Sequence, residues 1–192
     1  MIEFRDLRAD EIEVRVQSVK EKGVVLLLYK NARCDMNILD ETVGPENWQR
    51  EHYECKGNLF CRVGINVNSK TAFNEGSGAT FLDRWVWKSD CGVESNTEAE
   101  KGEASDSFKR ACFNWGIGRE LYTAPFIFVP LYKCNISSNG KCYDKFIVEK
   151  VVIKDKKIVA ISIVNTSFKA TNLAEKRCFV MYPPEEKNET TV

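Results

Sequence analysis

The sequence predicts an α+β fold in which an antiparallel β-meander packs on a long α-helix and a C-terminal β-hairpin extension follows. Three observations carry this. Between Trp48 and Ser89 short strand patterns are separated by turn signals, the connectivity of an antiparallel sheet. Thr97 to Asn114 reads as a helix whose stripe, Ala104, Phe108, Ala111 and Trp115, recurs at spacings of four, three and four. From Tyr143 onward, KFIVEKVVI and IVAISIV flank a KDKK turn.

A first helix is expected from Ala9 to Lys20, capped by Asp10 and stopped near Gly23, because Ile12, Val16 and Val19 share one helical face. Val24 to Tyr29, VVLLLY, is short, continuous and bounded by Gly23 and Lys30-Asn31, so it predicts a buried strand. A second helix spans Ala32 to Thr42, with Met36, Leu39 and Val43 spaced for packing, and ends at Gly44-Pro45. Strands follow at Trp48 to Cys55, Leu59 to Val67 and Phe81 to Ser89. Lys56-Gly57-Asn58 supplies a tight hairpin, and Asn68 to Thr80, with Gly76 and Gly78, a longer connection. Thr97 and Glu100 form a capping box for the long helix, and Gly116 and Gly118 break it. APFIFVP then leaves by an extended path limited by Pro125 and Pro130. The expected organisation is a core over 1–132, a lysine-rich hairpin extension over 133–182 and a disordered acidic tail over 183–192.

At 192 residues and 43% hydrophobic content the chain is long enough for one medium domain with a sizeable core. Its 28 basic and 28 acidic residues cancel, so any affinity for a polyanion has to be local. Lys133 to Arg177 holds ten Lys or Arg against four Asp or Glu, which predicts a basic face or, more simply, a solvated hairpin. Eight cysteines contain no CxxC pair and His52 is the only histidine, so no zinc site is expected. Cys34 and Cys112 read as small hydrophobes inside helices, which fits a reducing cytoplasm. The charged MIEFRDLRADEIE start lacks the apolar stretch of a signal peptide, and Val24 to Tyr29 is far short of the roughly 20 residues of a membrane span.

Catalytic signals are sparse. Gly116 and Gly118 follow a helix instead of opening one, and no GxxxxGK[ST] pattern occurs, so nucleotide use is not indicated. A Ser-His-Asp site would have to use His52, which lies in a predicted strand and is read as non-catalytic. Asp90, Glu94, Glu98, Glu100 and Glu103 are the candidates for a nuclease metal site, although Glu98 and Glu100 are explained by a helix N-terminus, where negative charge is favoured. Binding chemistry is better represented. Trp85, Trp87 and Trp115 lie near the adjacent cations Lys109 and Arg110, and aromatic rings beside paired cations hold unpaired strands without demanding a sequence. Neighbours on a helix splay about 100° and reach successive phosphates; the plainer alternative is pairing with Asp106 or Glu103 one turn earlier.

The run GEASDSFKRACFNWGIGRELY, preceded by VWKSDCGVES and ARCDMNILDETVGPENW, resembles the Rad52-type single-strand annealing proteins, especially their short phage and prophage members. The likeness spans Leu7 to Pro125. It implies a β-β-β-α annealing domain that assembles into rings or arcs, binds single-stranded DNA in a basic outer groove and pairs complementary strands in recombination and repair without ATP, enzymatic activity or a cofactor. The family's groove cations fall on Lys109 and Arg110, with Arg33 as the nearest counterpart of a third. A further basic position of animal members is Phe113 here, for which Arg119 or Lys88 are the compensating candidates, and Lys70 falls near a second DNA site. The implied partners are single-stranded DNA, further copies of the chain and a host or phage single-strand binding protein, with no membrane; the implied location is the cytoplasm, that of a host bacterium if phage-encoded. A passive single-strand binding protein without annealing activity is the alternative.

Overall fold

The computed structural model of the chain describes residues 2–67, 84–93, 99–170 and 172–182. The chain forms two compact units. One comprises the chain up to Arg5 together with Asn31–Gly118, the other Asp6–Lys30 together with the described residues from Arg119 onward.

The first unit holds α1 (Ala32–Val43), β3 (Trp48–Cys55), β4 (Asn58–Asn66), β5 (Trp85–Cys91) and α2 (Ala99–Trp115). Asn31 caps α1 by accepting the Cys34 N–H at 3.0 Å. Gly44, at φ +89°, ends it, because that backbone geometry suits a residue without Cβ. The hairpin between β3 and β4 turns on Lys56 and Gly57, both at positive φ, as a two-residue turn requires when it must follow the right-handed strand twist. The strands pair in the order β3-β4-β5, all antiparallel. Cys61, Val63 and Ile65 alternate along β4 and are completely buried under α2, which contributes Ser107, Phe108, Ala111 and Cys112. Of the expected stripe, Phe108 and Ala111 are in the core, while Ala104 and Trp115 are half-buried at its ends. Residues 81–83 of the expected third strand, and Thr97 of the expected capping box, lie outside the described residues.

The second unit corrects the first element. Ala9–Glu11 forms only a short 3-10 turn, and Glu13–Lys20 is a strand, β1, paired with β2 (Gly23–Tyr29). The helical spacing was produced by a β-bulge. Val14 and Val16 lie opposite Leu28 and Leu26, the register shifts between Val16 and Ser18, and Val19 then lies opposite Val24. One extra residue flips the alternation, so Val16 and Val19 reach the same face at a spacing of three.

β6 (Ile127–Pro130), β7 (Phe146–Lys154), β8 (Lys157–Asn165) and β9 (Arg177–Met181) complete a six-stranded sheet in the order β6-β2-β1-β7-β8-β9, with the four-residue helix α3 (Leu173–Lys176) before β9. β1 and β7 pair only at Glu13 and Ile147, and β6 packs against β9. Val24, Leu26, Ile127, Val129, Phe146, Val148, Ile161 and Ile163 form the core. The β7–β8 turn is Asp155-Lys156, again at positive φ. These strands share one sheet with β1, β2 and β6, and the 13–29 hairpin and the C-terminal strands bury a common core. The tail over 183–192 lies outside the described residues.

Candidate nucleic-acid interface

Lys109 and Arg110 sit on α2 beside the fully buried Phe108 and Ala111, which fix the helix against β4 and β5. Both side chains are part-exposed and both face a carboxylate. Lys109 Nζ is 3.9 Å from Asp106 Oδ1, the pairing within the helix that sequence spacing allowed. Arg110 instead reaches across to β5, where its Nε and Nη2 donate to Asp90 Oδ1 at 3.3 Å. Two adjacent cations are thus presented on one helix at the edge of its buried stripe.

The other sequence candidates are dispersed. Lys88, on β5, donates a 2.8 Å hydrogen bond to the Asn114 carbonyl and lies 4.6 Å above the Trp115 ring, so its ammonium neutralises the C-terminal end of α2. Arg33 is exposed in the first turn of α1, within the same unit. Arg119 is also exposed but begins a 3-10 turn, Arg119–Thr123, of the second unit. Lys70 lies outside the described residues.

The tryptophans do not form one surface. Cross-strand partners share a face, and Trp85 and Trp87 are paired with Asn66 and Gly64, on the side of the sheet turned away from α2. Their rings stack at 6.2 Å, and Arg62 lies 4.7 Å above Trp87 while its guanidinium pairs with Glu51 at 2.6 Å. Tyr53 and Phe60 stack on the same face at 5.6 Å. Trp115 belongs to the helix side, where its indole N–H donates to the Val63 carbonyl at 3.0 Å. Sequence reading missed the grouping of Tyr53, Phe60, Arg62, Trp85 and Trp87, although their i, i+2 spacing in neighbouring strands signals it.

The acidic residues have structural duties. Glu103 accepts the Leu59 N–H at 3.0 Å, Asp90 also accepts the Cys91 N–H at 2.8 Å, and Glu94 and Glu98 lie outside the described residues. Among the described residues no group of three or more His, Cys, Asp or Glu is placed to hold a metal. His52 Nε2 is 3.0 Å from the Ala104 carbonyl, tying β3 to α2. Burial pushes the Cys61 thiol up to about 11, partly offset by Arg50. No helix among the described residues is long and apolar enough to cross a membrane.

Residues 4–133 match the family model described as Rad52/22 family double-strand break repair protein. A search of curated proteins found no match. The matched stretch holds all of α1, the three-stranded sheet and α2, together with β1, β2 and β6.

Proposed function

Because the chain belongs to the Rad52/22 family of double-strand break repair proteins, we propose that it binds single-stranded DNA and anneals complementary strands in homologous recombination, without nucleotide hydrolysis and as an oligomeric ring or arc. The observation that carries the reading is the adjacent pair Lys109 and Arg110, part-exposed on α2, each facing a carboxylate at 3.9 and 3.3 Å.

The mechanism is physical. Phosphate contacts from several copies hold one strand extended, leaving its bases to sample a second strand until pairing becomes cooperative, and base pairing supplies the driving force. Binding through phosphates is strongly salt-dependent and sequence-tolerant, as this role requires. Arg33 and Arg119 are the further cations proposed to contact the strand. A single-strand binding protein of host or phage is the proposed supplier of coated substrate, in a cytoplasmic setting.

The test is a fluorescence-quench annealing assay with two complementary oligonucleotides at low and moderate salt and no nucleotide. Acceleration by the protein supports the reading. Strands that bind yet pair no faster leave a passive coat in its place, and cleavage in magnesium or manganese would point to a nuclease.

A further inference from the structure

The two cations on which the proposed function rests are each faced by an aspartate, and both aspartates are tied to one short stretch of backbone at the exit of β5. Asp90 Oδ1 lies 3.3 Å from both Nε and Nη2 of Arg110 and accepts the Cys91 N–H at 2.8 Å. Asp106 Oδ1 lies 3.9 Å from Lys109 Nζ, while its Oδ2 accepts the Val93 N–H at 3.2 Å. Each carboxylate is therefore held by a backbone N–H in addition to the cation it faces.

Charge-assisted N–H···O bonds settle near about 2.7–2.9 Å, and neither pair reaches that distance. Side-chain exposure is 41% for Arg110 and 29% for Asp90, 24% for Lys109 and 33% for Asp106, so water reaches both pairs. Such contacts exchange readily. A phosphate offers Arg110 two oxygens where Asp90 presents one, which favours exchange towards the strand. After exchange the aspartates remain beside the bound phosphates and repel them.

We propose that Asp90 and Asp106 are built-in competitors of the DNA strand, holding Arg110 and Lys109 before a strand binds and hastening its release afterwards. This rests on the DNA reading of Lys109 and Arg110. It gives the annealing reaction a means of letting go that needs no nucleotide: affinity is set by the difference between phosphate and carboxylate contacts.

The experiment measures binding and dissociation of a fluorescent thymidine homopolymer, which cannot pair with itself, by the full chain and its D90N, D106N and D90E variants. D90N and D106N are each expected to bind about two- to five-fold tighter, the exchange equivalent of an exposed ion pair, with the gain in a slower dissociation rate. D90E, which keeps the charge, binds like the unsubstituted protein. Strands coated by D90N pair more slowly at saturating protein. Unchanged affinity in folded D90N and D106N overturns the proposal, as does weaker binding, which would make Asp90 a positioning residue for Arg110. Two variants that both fail to fold would show the carboxylates to be structural and overturn it equally. Failure of the DNA reading is separate: the unsubstituted protein would then not bind the homopolymer, whereas binding abolished by K109E/R110E but unmoved by D90N and D106N sinks this inference alone.

Discussion

Lys88 Nζ donates a 2.8 Å hydrogen bond to the carbonyl oxygen of Asn114, joining the middle of β5 to the last turn of α2. The same ammonium lies 4.6 Å above the Trp115 ring. K88M removes a charged hydrogen bond and a cation–π contact and should destabilise the protein by about 1–2 kcal/mol in urea unfolding. Its DNA affinity should change less than that of Lys109 or Arg110 variants. A K88M protein of ordinary stability that had lost DNA binding would return Lys88 to the binding surface.

Reversal of both helix cations, K109E/R110E, should abolish annealing while circular dichroism and oligomer size stay unchanged. The salt dependence of residual binding should flatten, the logarithmic slope falling by about 1.4 for two lost single-strand phosphate contacts. Normal annealing by this variant would remove the pair from the mechanism.

Glu149 occupies the bulge of β7, and Arg177 donates to it twice, at 2.7 and 2.6 Å, with Ser162 adding a third bond at 2.9 Å. The Arg177 hydrogen bonds, opposed by burial and assisted by Ser162, lower its carboxyl from 4.5 to about 2. The folded state therefore binds fewer protons than the unfolded chain. The stabilisation is complete above the ordinary value and lost as pH falls towards about 2. E149Q should lower the thermal midpoint at neutral pH, and the gap from the unsubstituted protein should close on acidification. A gap independent of pH would assign the effect to packing.

Gly64 is required by a ring, not by a turn. A Cβ there would meet the Trp87 indole at 2.8 Å. G64A should displace Trp87 from β4, costing about 1–3 kcal/mol and changing the intrinsic tryptophan fluorescence; an unaltered spectrum and stability would contradict the packing described.

The eight thiols should react in an order set by burial. Cys55 is exposed, whereas Cys61, Cys134 and Cys178 are pushed up to about 11, 11 and 12 by burial. Brief alkylation at mildly alkaline pH, read by peptide mass spectrometry, should modify Cys55 first and leave those three until the protein is unfolded. Early modification of Cys61 would mean that α2 does not cover β4.

Much of the first unit was legible because its signals are local. The β3–β4 turn at Lys56-Gly57, the Phe108 and Ala111 stripe and the Gly44 stop each depend on residues within a turn or two, where periodicity and backbone preference act directly. The Lys109-Arg110 pair was visible for the same reason. What the sequence by itself determined was therefore the local elements. Tertiary structure alone decided that Glu13–Lys20 is a strand, since its bulge gains meaning only opposite β2. It alone separated Trp115 from Trp85 and Trp87, assigned Lys88 to a helix terminus, and placed Asp90 against Arg110 across 20 positions. Those outcomes depend on which strand lies beside which, and such pairing is fixed by burial of a shared core between segments distant in the chain.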